Sequence, residues 1–151
     1  MKIRIALVGG GAGNHVLLAR LDRSKFDVSL LTRKPHADWN VHAQFQDGTI
    51  VQGAPKIVSD NPQDVIPHAD VILLSCPAHA HQPILQNISQ YVRMNSFVGT
   101  MFGQGAFDKV AQDCGISSRL FALQLFPFVC RIISPGFVTF TSHPIDYSVF
   151  E

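Results

Sequence analysis

The feature that most constrains this chain is its glycine turn. Ile3–Val8, a mostly β-branched and apolar run, leads directly into Gly9-Gly10-Gly11-Ala12-Gly13-Asn14. Val16, Leu17, Ala19 and Leu21 then follow with apolar side chains at helical spacing. A strand, a glycine turn and a helix in that order are the setting of the dinucleotide fingerprint GxGxxG. Its first glycine allows the tight turn, and its second lets a pyrophosphate approach the backbone. The helix N–H groups and dipole then hold the anion. Gly9 and Gly11 fill the first two positions, with Ala12 and Gly13 opening the helix. Asn14 stands where the third position wants Gly or Ala, and Gly13 is expected to compensate by shifting the helix start.

The rest of the chain alternates. Val28–Thr32 is a second strand after the turn-like Ser24–Asp27, so the first thirty residues read as β-α-β. Asp47-Gly48, between Phe45 and Ile50, predicts a short hairpin over 41–53 with a type I′ turn, whose two central residues need positive φ. Lys56–Ser59 is expected as a third strand. Asn61-Pro62 starts a short helix, with proline in the first turn where its missing N–H costs nothing. Val71–Ser75 is the continuous apolar run of a parallel strand buried on both faces, and it stops at Cys76-Pro77. A helix is predicted over 79–92, with Pro83 in its first turn, and another buried strand over Ser96–Met101. Ala106–Gln112 reads as a short helix ended by Gly115, and Leu120–Leu125 and Phe137–Thr141 complete the strands. The prediction is an α/β fold of the Rossmann type, a doubly wound, mainly parallel sheet with an inserted β-hairpin, in one domain over 1–151.

Composition narrows the function. Twelve basic and eleven acidic side chains, without a run of like charges, leave no footprint for nucleic acid. Apolar stretches are cut short by Gly, Pro or charge, so neither a membrane span nor a signal-peptide core is expected. Cys76, Cys114 and Cys130 are odd in number and form no CxxC pair, which favours a reducing compartment and a cytoplasmic protein. Only 15% of residues are charged, against roughly 25% in typical soluble domains. The tract from Leu120 to Phe150 is especially Phe-rich and charge-poor. A domain this apolar and charge-poor is expected to cover part of its surface.

Cofactor choice is set where the second strand ends. An NAD site places Asp or Glu there, whereas basic residues accept the 2′-phosphate of NADP. Thr32, Arg33 and Lys34 occupy that place, with no acid before Asp38, so NADP(H) is favoured over NAD(H). Cys76, Pro77 and Ala78 follow the next buried strand, at the edge where ligands of open α/β sheets bind, and complete the cofactor-binding set. His79 and His81 are two apart and point to different faces of a helix, so no metal is expected. His79 is instead a candidate for the substrate cleft, beside the alternatives of capping the turn, touching the cofactor or simply lying on the surface. Gln104 is a second candidate, in a glycine-rich strand end (Gly99–Gly105) that sits against the nicotinamide or merely turns. Arg131, alone in an apolar tract, pairs either with a substrate carboxylate or with a structural acceptor. Ser75 and Cys76 lack a nucleophile elbow and an orienting third group, which speaks against hydrolysis.

Together these segments resemble the N-terminal domain of the octopine/nopaline (opine) dehydrogenases, in order and over nearly the whole chain. Gly9–His15 is similar to that family's glycine turn, with Ala12 and Asn14 exchanging the usual residue types. Leu30–Pro35 with Trp39, Asp47-Gly48-Thr49, Cys76–His81 (CPAHAH), Gly99–Phe107 and Phe126–Ile132 (FPFVCRI) match further segments of the family. The resemblance implies NAD(P)H-dependent reductive condensation of a 2-oxo acid with an amino acid, hydride passing to the imine carbon. It also implies that a helical second domain supplies the catalytic His–Asp pair and covers the tract from Leu120 to Phe150, which otherwise is expected to face a self-associating copy of the chain. No residue of 1–151 is therefore assigned a catalytic role, and His15, His79 and Arg131 face the cofactor or cleft at most. The chain alone is expected to be inactive. Two other readings remain: a stand-alone nucleotide-binding or sensor domain, and another NADP-dependent reductase, such as a ketopantoate-reductase-like or glycerol-3-phosphate-dehydrogenase-like protein.

Overall fold

The structure, a computed structural model, describes residues 1–35, 39–103, 105–123 and 129–140. In chain order the elements are β1 (Ile3–Val8), α1 (Ala12–Arg20), β2 (Phe26–Leu31), β3 (Val41–Gln44), β4 (Ile50–Gly53) and β5 (Ile57–Ser59). They continue with α2 (Pro62–Val65), β6 (Val71–Leu74), α3 (His81–Ile88), β7 (Phe97–Thr100) and α4 (Phe107–Asp113). The last are β8 (Arg119–Ala122), β9 (Cys130–Ser134) and β10 (Phe137–Phe140). Among the described residues the strands form two sheets.

The larger sheet runs β5-β2-β1-β6-β7-β8, and every pairing in it is parallel. Numbering its own strands along the chain gives the order 3-2-1-4-5-6, the Rossmann order, with the topological switch between β1 and β6. A parallel sheet must be covered on both faces, and the alternation along β1 assigns the faces. Ala6 and Val8 pack into a core with Val65, Ile66, Leu85, Ile88, Phe107 and Ala111, under α2, α3 and α4. Ile5 and Leu7 point the other way, into a core with Val16, Leu18, Trp39, Val41, Ala43 and Val138. Each fully buried Leu or Ile contributes about 2–3 kcal/mol through area removed from water.

On that second face α1 is covered in turn by the smaller sheet, ordered β4-β3-β10-β9. The helix is therefore buried nearly all round, Gly13, Asn14, His15, Val16, Leu18 and Ala19 included. Gly53 shows how close the cover sits: a Cβ there would lie 1.8 Å from the Leu18 carbonyl oxygen. The predicted hairpin is β3–β4, paired antiparallel from Val41↔Gly53 to Gln44↔Ile50. Its turn is not type I′. Gly48 has φ 84°, while Ala106 is the one non-glycine residue with positive φ among the described residues, so Asp47 stays at negative φ. Gly48 N–H bonds to Phe45 O, and Phe45 N–H bonds to Thr49 O. The result is a three-residue loop ending in a left-handed glycine, which needs only one residue of positive φ.

Two further expectations are corrected. Phe137–Thr141 does not extend the main sheet: β10 pairs parallel with β3 and antiparallel with β9, a strand the sequence reading did not include. The helix predicted over 79–92 is α-helical only from His81 to Ile88. Single 3₁₀ turns, Ala78–Ala80 and Ser89–Tyr91, flank it. The start at Asn61-Pro62 holds, with the Asn61 side chain capping Gln63 N–H at 3.2 Å. β8 ends at Ala122, and residues 124 and 125 of the expected strand lie outside the described residues. No helix among the described residues is long and apolar enough to cross a membrane.

Candidate active-site cleft at the switch point

The carboxyl ends of β1 and β6 open the crevice between them. Gly9 leaves β1 with its N–H on Leu31 O at 2.9 Å and φ 111°, a conformation that strains any side chain. A Cβ on Gly9 would also lie 3.3 Å from the Ser75 carbonyl oxygen, across the crevice. One on Gly10 would meet Thr32 Oγ1 at 2.9 Å and Trp39 Cη2 at 3.4 Å. Gly11 is the N-cap of α1 and offers no side-chain acceptor, and the first turn carries no acid. The helix ladder begins with Asn14 N–H and His15 N–H, both on Gly11 O. The N–H groups ahead of Asn14 are thus left out of that ladder at the positive end of the helix dipole, as an anion site requires. The turn is exposed at Gly10 and Gly11. A cradle that a Cβ would fill, lined with backbone donors, fits a pyrophosphate.

Asn14 is not open to that cradle. It is fully buried and donates Nδ2–H to Gly9 O at 2.6 Å, so the helix starts at Ala12 without any shift. Its Oδ1 has no hydrogen-bond partner among the described residues. His15 is also buried, with Nδ1 3.0 Å from Gly11 O and its ring 5.1 Å from that of Trp39.

The structure brings three other predicted segments to the same edge. Thr32 is buried beside Gly10, with its N–H on Ser59 O at 2.9 Å, while Arg33 and Lys34 follow it as exposed residues. Neither forms an ion pair among the described residues, which leaves two cations at the end of β2. Cys76 is buried behind the crevice, and burial pushes its thiol up to about 11. It is therefore protonated near neutrality and no nucleophile. Pro77, Ala78 and His79 are exposed. The loop after β7 closes the far side, since a Cβ on Gly105 (φ 87°) would lie 3.1 Å from Ala78 Cβ. Gln104 itself lies outside the described residues.

Two histidines of the CPAHAH segment part company. His79 stays in solvent, while His81 is fully buried, with Nε2 3.1 Å from Thr100 Oγ1 and its ring edge-on to Phe107. Burial lowers its pKa below the ordinary histidine value. Thr100 Oγ1 also accepts Phe102 N–H at 3.1 Å, so His81 ties the loop after β6 to the loop after β7. The sequence reading missed that role, and only the placement of a polar residue on the apolar face of a short helix hinted at it. Arg131 is exposed on β9 of the smaller sheet, and Phe126–Phe128 lie outside the described residues.

Residues 5–112 match the family described as Ketopantoate reductase PanE/ApbA. The chain belongs to this family. This member of the PanE/ApbA family is also similar to opine dehydrogenases. It is 28% identical to an opine dehydrogenase of Haliotis discus hannai, over 89% of this chain and 38% of that protein. It is 27% identical to an octopine dehydrogenase of Mizuhopecten yessoensis, over 87% and 38%. A solved structure of octopine dehydrogenase with NADH and L-arginine superimposes with a TM-score of 0.80 at 26% identity, covering 92% of this chain and 39% of that one. The chain is similar to the N-terminal part of the opine dehydrogenases, and it spans about two-fifths of the length of the curated relatives it matches.

Proposed function

We propose that the chain binds NADP(H), and NAD(H) second, as the cofactor domain of an opine-dehydrogenase-like reductase joining a 2-oxo acid to an amino acid. The observation that carries this reading is the glycine cradle at the β1–β6 switch point, open only to backbone and facing Ser75 O. Backbone N–H groups of Gly10–Gly13 hold the pyrophosphate, and Arg33 and Lys34 take the 2′-phosphate by charge-assisted hydrogen bonds. The nicotinamide end extends toward Ser75–Ala78, across the switch point. When bound, the nicotinamide supplies the hydride. Cys76 is kept as a thiol and His81 is sealed off from solvent, so on this reading neither serves as acid or base. The chain alone is then silent with pyruvate, amino acids and NADPH, and turnover by it would overturn that part. The exposed edge strand β9, with Ile133 60% and Val129, just before it, 63% in solvent, is the expected seat of the remaining enzyme or of a second copy.

Reduction of ketopantoate is the second reading, favoured by the family match over 5–112. Both readings use the same cofactor site. Arg33→Ala tests it: the variant should weaken NADPH by about tenfold or more and NADH far less, because one charge-assisted phosphate contact is worth about 1.5–3 kcal/mol. Equal loss for both cofactors would refute the NADP preference.

A further inference from the structure

We propose that Asn14 is a positioning residue: it fixes the Gly9–Gly10 peptide and thereby turns the Gly10 N–H outward to the pyrophosphate of a bound nicotinamide dinucleotide. This rests on the cofactor reading above. Asn14 occupies the third fingerprint position, where Gly or Ala would leave the turn unclamped. Its side chain is fully buried and meets Gly9 O at 2.6 Å. That contact assigns the amide, since an oxygen placed there would set acceptor against acceptor.

The consequence follows from peptide geometry. The bond between Gly9 and Gly10 is trans, so its C=O and N–H point in opposite directions. With Gly9 O drawn inward onto Asn14, the Gly10 N–H faces away, at a residue that is exposed. Gly9 is held from its other side as well, through its N–H on Leu31 O at 2.9 Å. The rotational freedom that three successive glycines would otherwise have is removed where the anion binds. Asn14 achieves this with one orphaned atom, its buried Oδ1, which has no partner among the described residues. An arrangement serving packing alone would be met by Ala at this position without that cost.

The test is calorimetric titration of the whole chain with NADPH and with NADH, for the unaltered protein, Asn14→Asp and Asn14→Ala. Asn14→Asp keeps the shape and replaces the donor by an acceptor, so both cofactors should weaken by the same factor, about tenfold or more. Asn14→Ala removes the clamp and should weaken both about threefold to tenfold. Equal loss on the two cofactors sets this effect apart from Arg33→Ala, which splits them. The Gly10 amide resonance adds a readout that a packing role would not move. It should shift downfield when NADPH saturates the unaltered chain, and by much less in saturated Asn14→Ala. Both variants binding both cofactors within about twofold of the unaltered chain, or a Gly10 amide untouched by NADPH, would overturn the inference. If Asn14→Asp fails to fold, Asn14→Ala decides alone. Failure of the unaltered chain to bind either cofactor removes the cofactor reading and this inference with it, whereas normal binding with indifferent variants removes the inference only.

Discussion

The two sheets are built on opposite terms. The six-stranded sheet is parallel throughout, and its central strands pair in register along continuous apolar runs such as Val71–Leu74. Its carboxyl edge carries the glycine cradle, Thr32 and the Ser75–Ala78 loop. The four-stranded sheet is assembled from segments far apart in sequence, β3–β4 and β9–β10, and ends in the solvent-facing strand β9. One sheet makes the site, and the other holds down the helix that the site begins. The comparison teaches that α1, the helix behind the glycine cradle, depends on a cover formed by residues more than 115 positions further along the chain, since Val138 of β10 packs in its core.

The sharpest way to break this division is at the cover. Gly53→Ala places a Cβ against the Leu18 carbonyl and Ala19 Cα, backbone atoms that no rotamer change can move. We expect a loss of about 3 kcal/mol or more by denaturant unfolding. Amides of Val41–Gln44 should lose exchange protection before those of β1 and β6, and simultaneous loss would show that the two sheets are a single cooperative unit.

A smaller effect probes the main-sheet edge through His81. Burial keeps its pKa below the ordinary value, so the unfolded chain binds a proton there first as pH falls. The stability it contributes is complete above the ordinary pKa of about 6.5 and is lost as pH drops toward the folded value. Asp70, held well below the usual carboxylate range by hydrogen bonds from Arg4 and then Arg93, adds a separate loss below about pH 4. Unfolding free energy should decline between about pH 7 and pH 5 by at most ~1.4 kcal/mol per pH unit, and His81→Gln should flatten that decline. An unchanged slope in the variant would remove His81 from the account.

The smallest effect lies in the loop that faces Ala78. Ala106 holds φ 53° and ψ 51°, a left-handed conformation that disfavours any Cβ. Ala106→Gly should stabilise by about 0.5–1 kcal/mol, visible as a higher Tm. A lower Tm would mean that the alanine methyl packs usefully enough to outweigh its strain.

Much of the larger sheet was legible because strands buried on both faces are written as apolar runs between glycine or proline stops. Ile3–Val8, Val28–Thr32, Val71–Ser75 and Ser96–Met101 all lie within a residue or two of β1, β2, β6 and β7. The smaller sheet was legible only where a local turn announced it. Asp47-Gly48 marked the hairpin, but no local signal marks the parallel pairing of β10 with β3, and the exposed β9 has no apolar alternation to reveal it. In the site, the glycines and the basic pair after β2 were readable as residue types suited to phosphate. The clamp from Asn14 to Gly9, the His15–Trp39 stack and the His81–Thr100 tie were not, because each depends on which way a buried polar side chain turns once the helix has docked.

The central claim, that the glycine cradle at the switch point binds a nicotinamide dinucleotide, is tested most directly by titrating the chain with NADPH and NADH while following backbone amide resonances. The account predicts saturable binding, tighter for NADPH, with the largest shifts at Gly9–Gly13, Thr32–Lys34 and Ser75–Ala78. No saturable binding, or shifts confined to the smaller sheet, would contradict it.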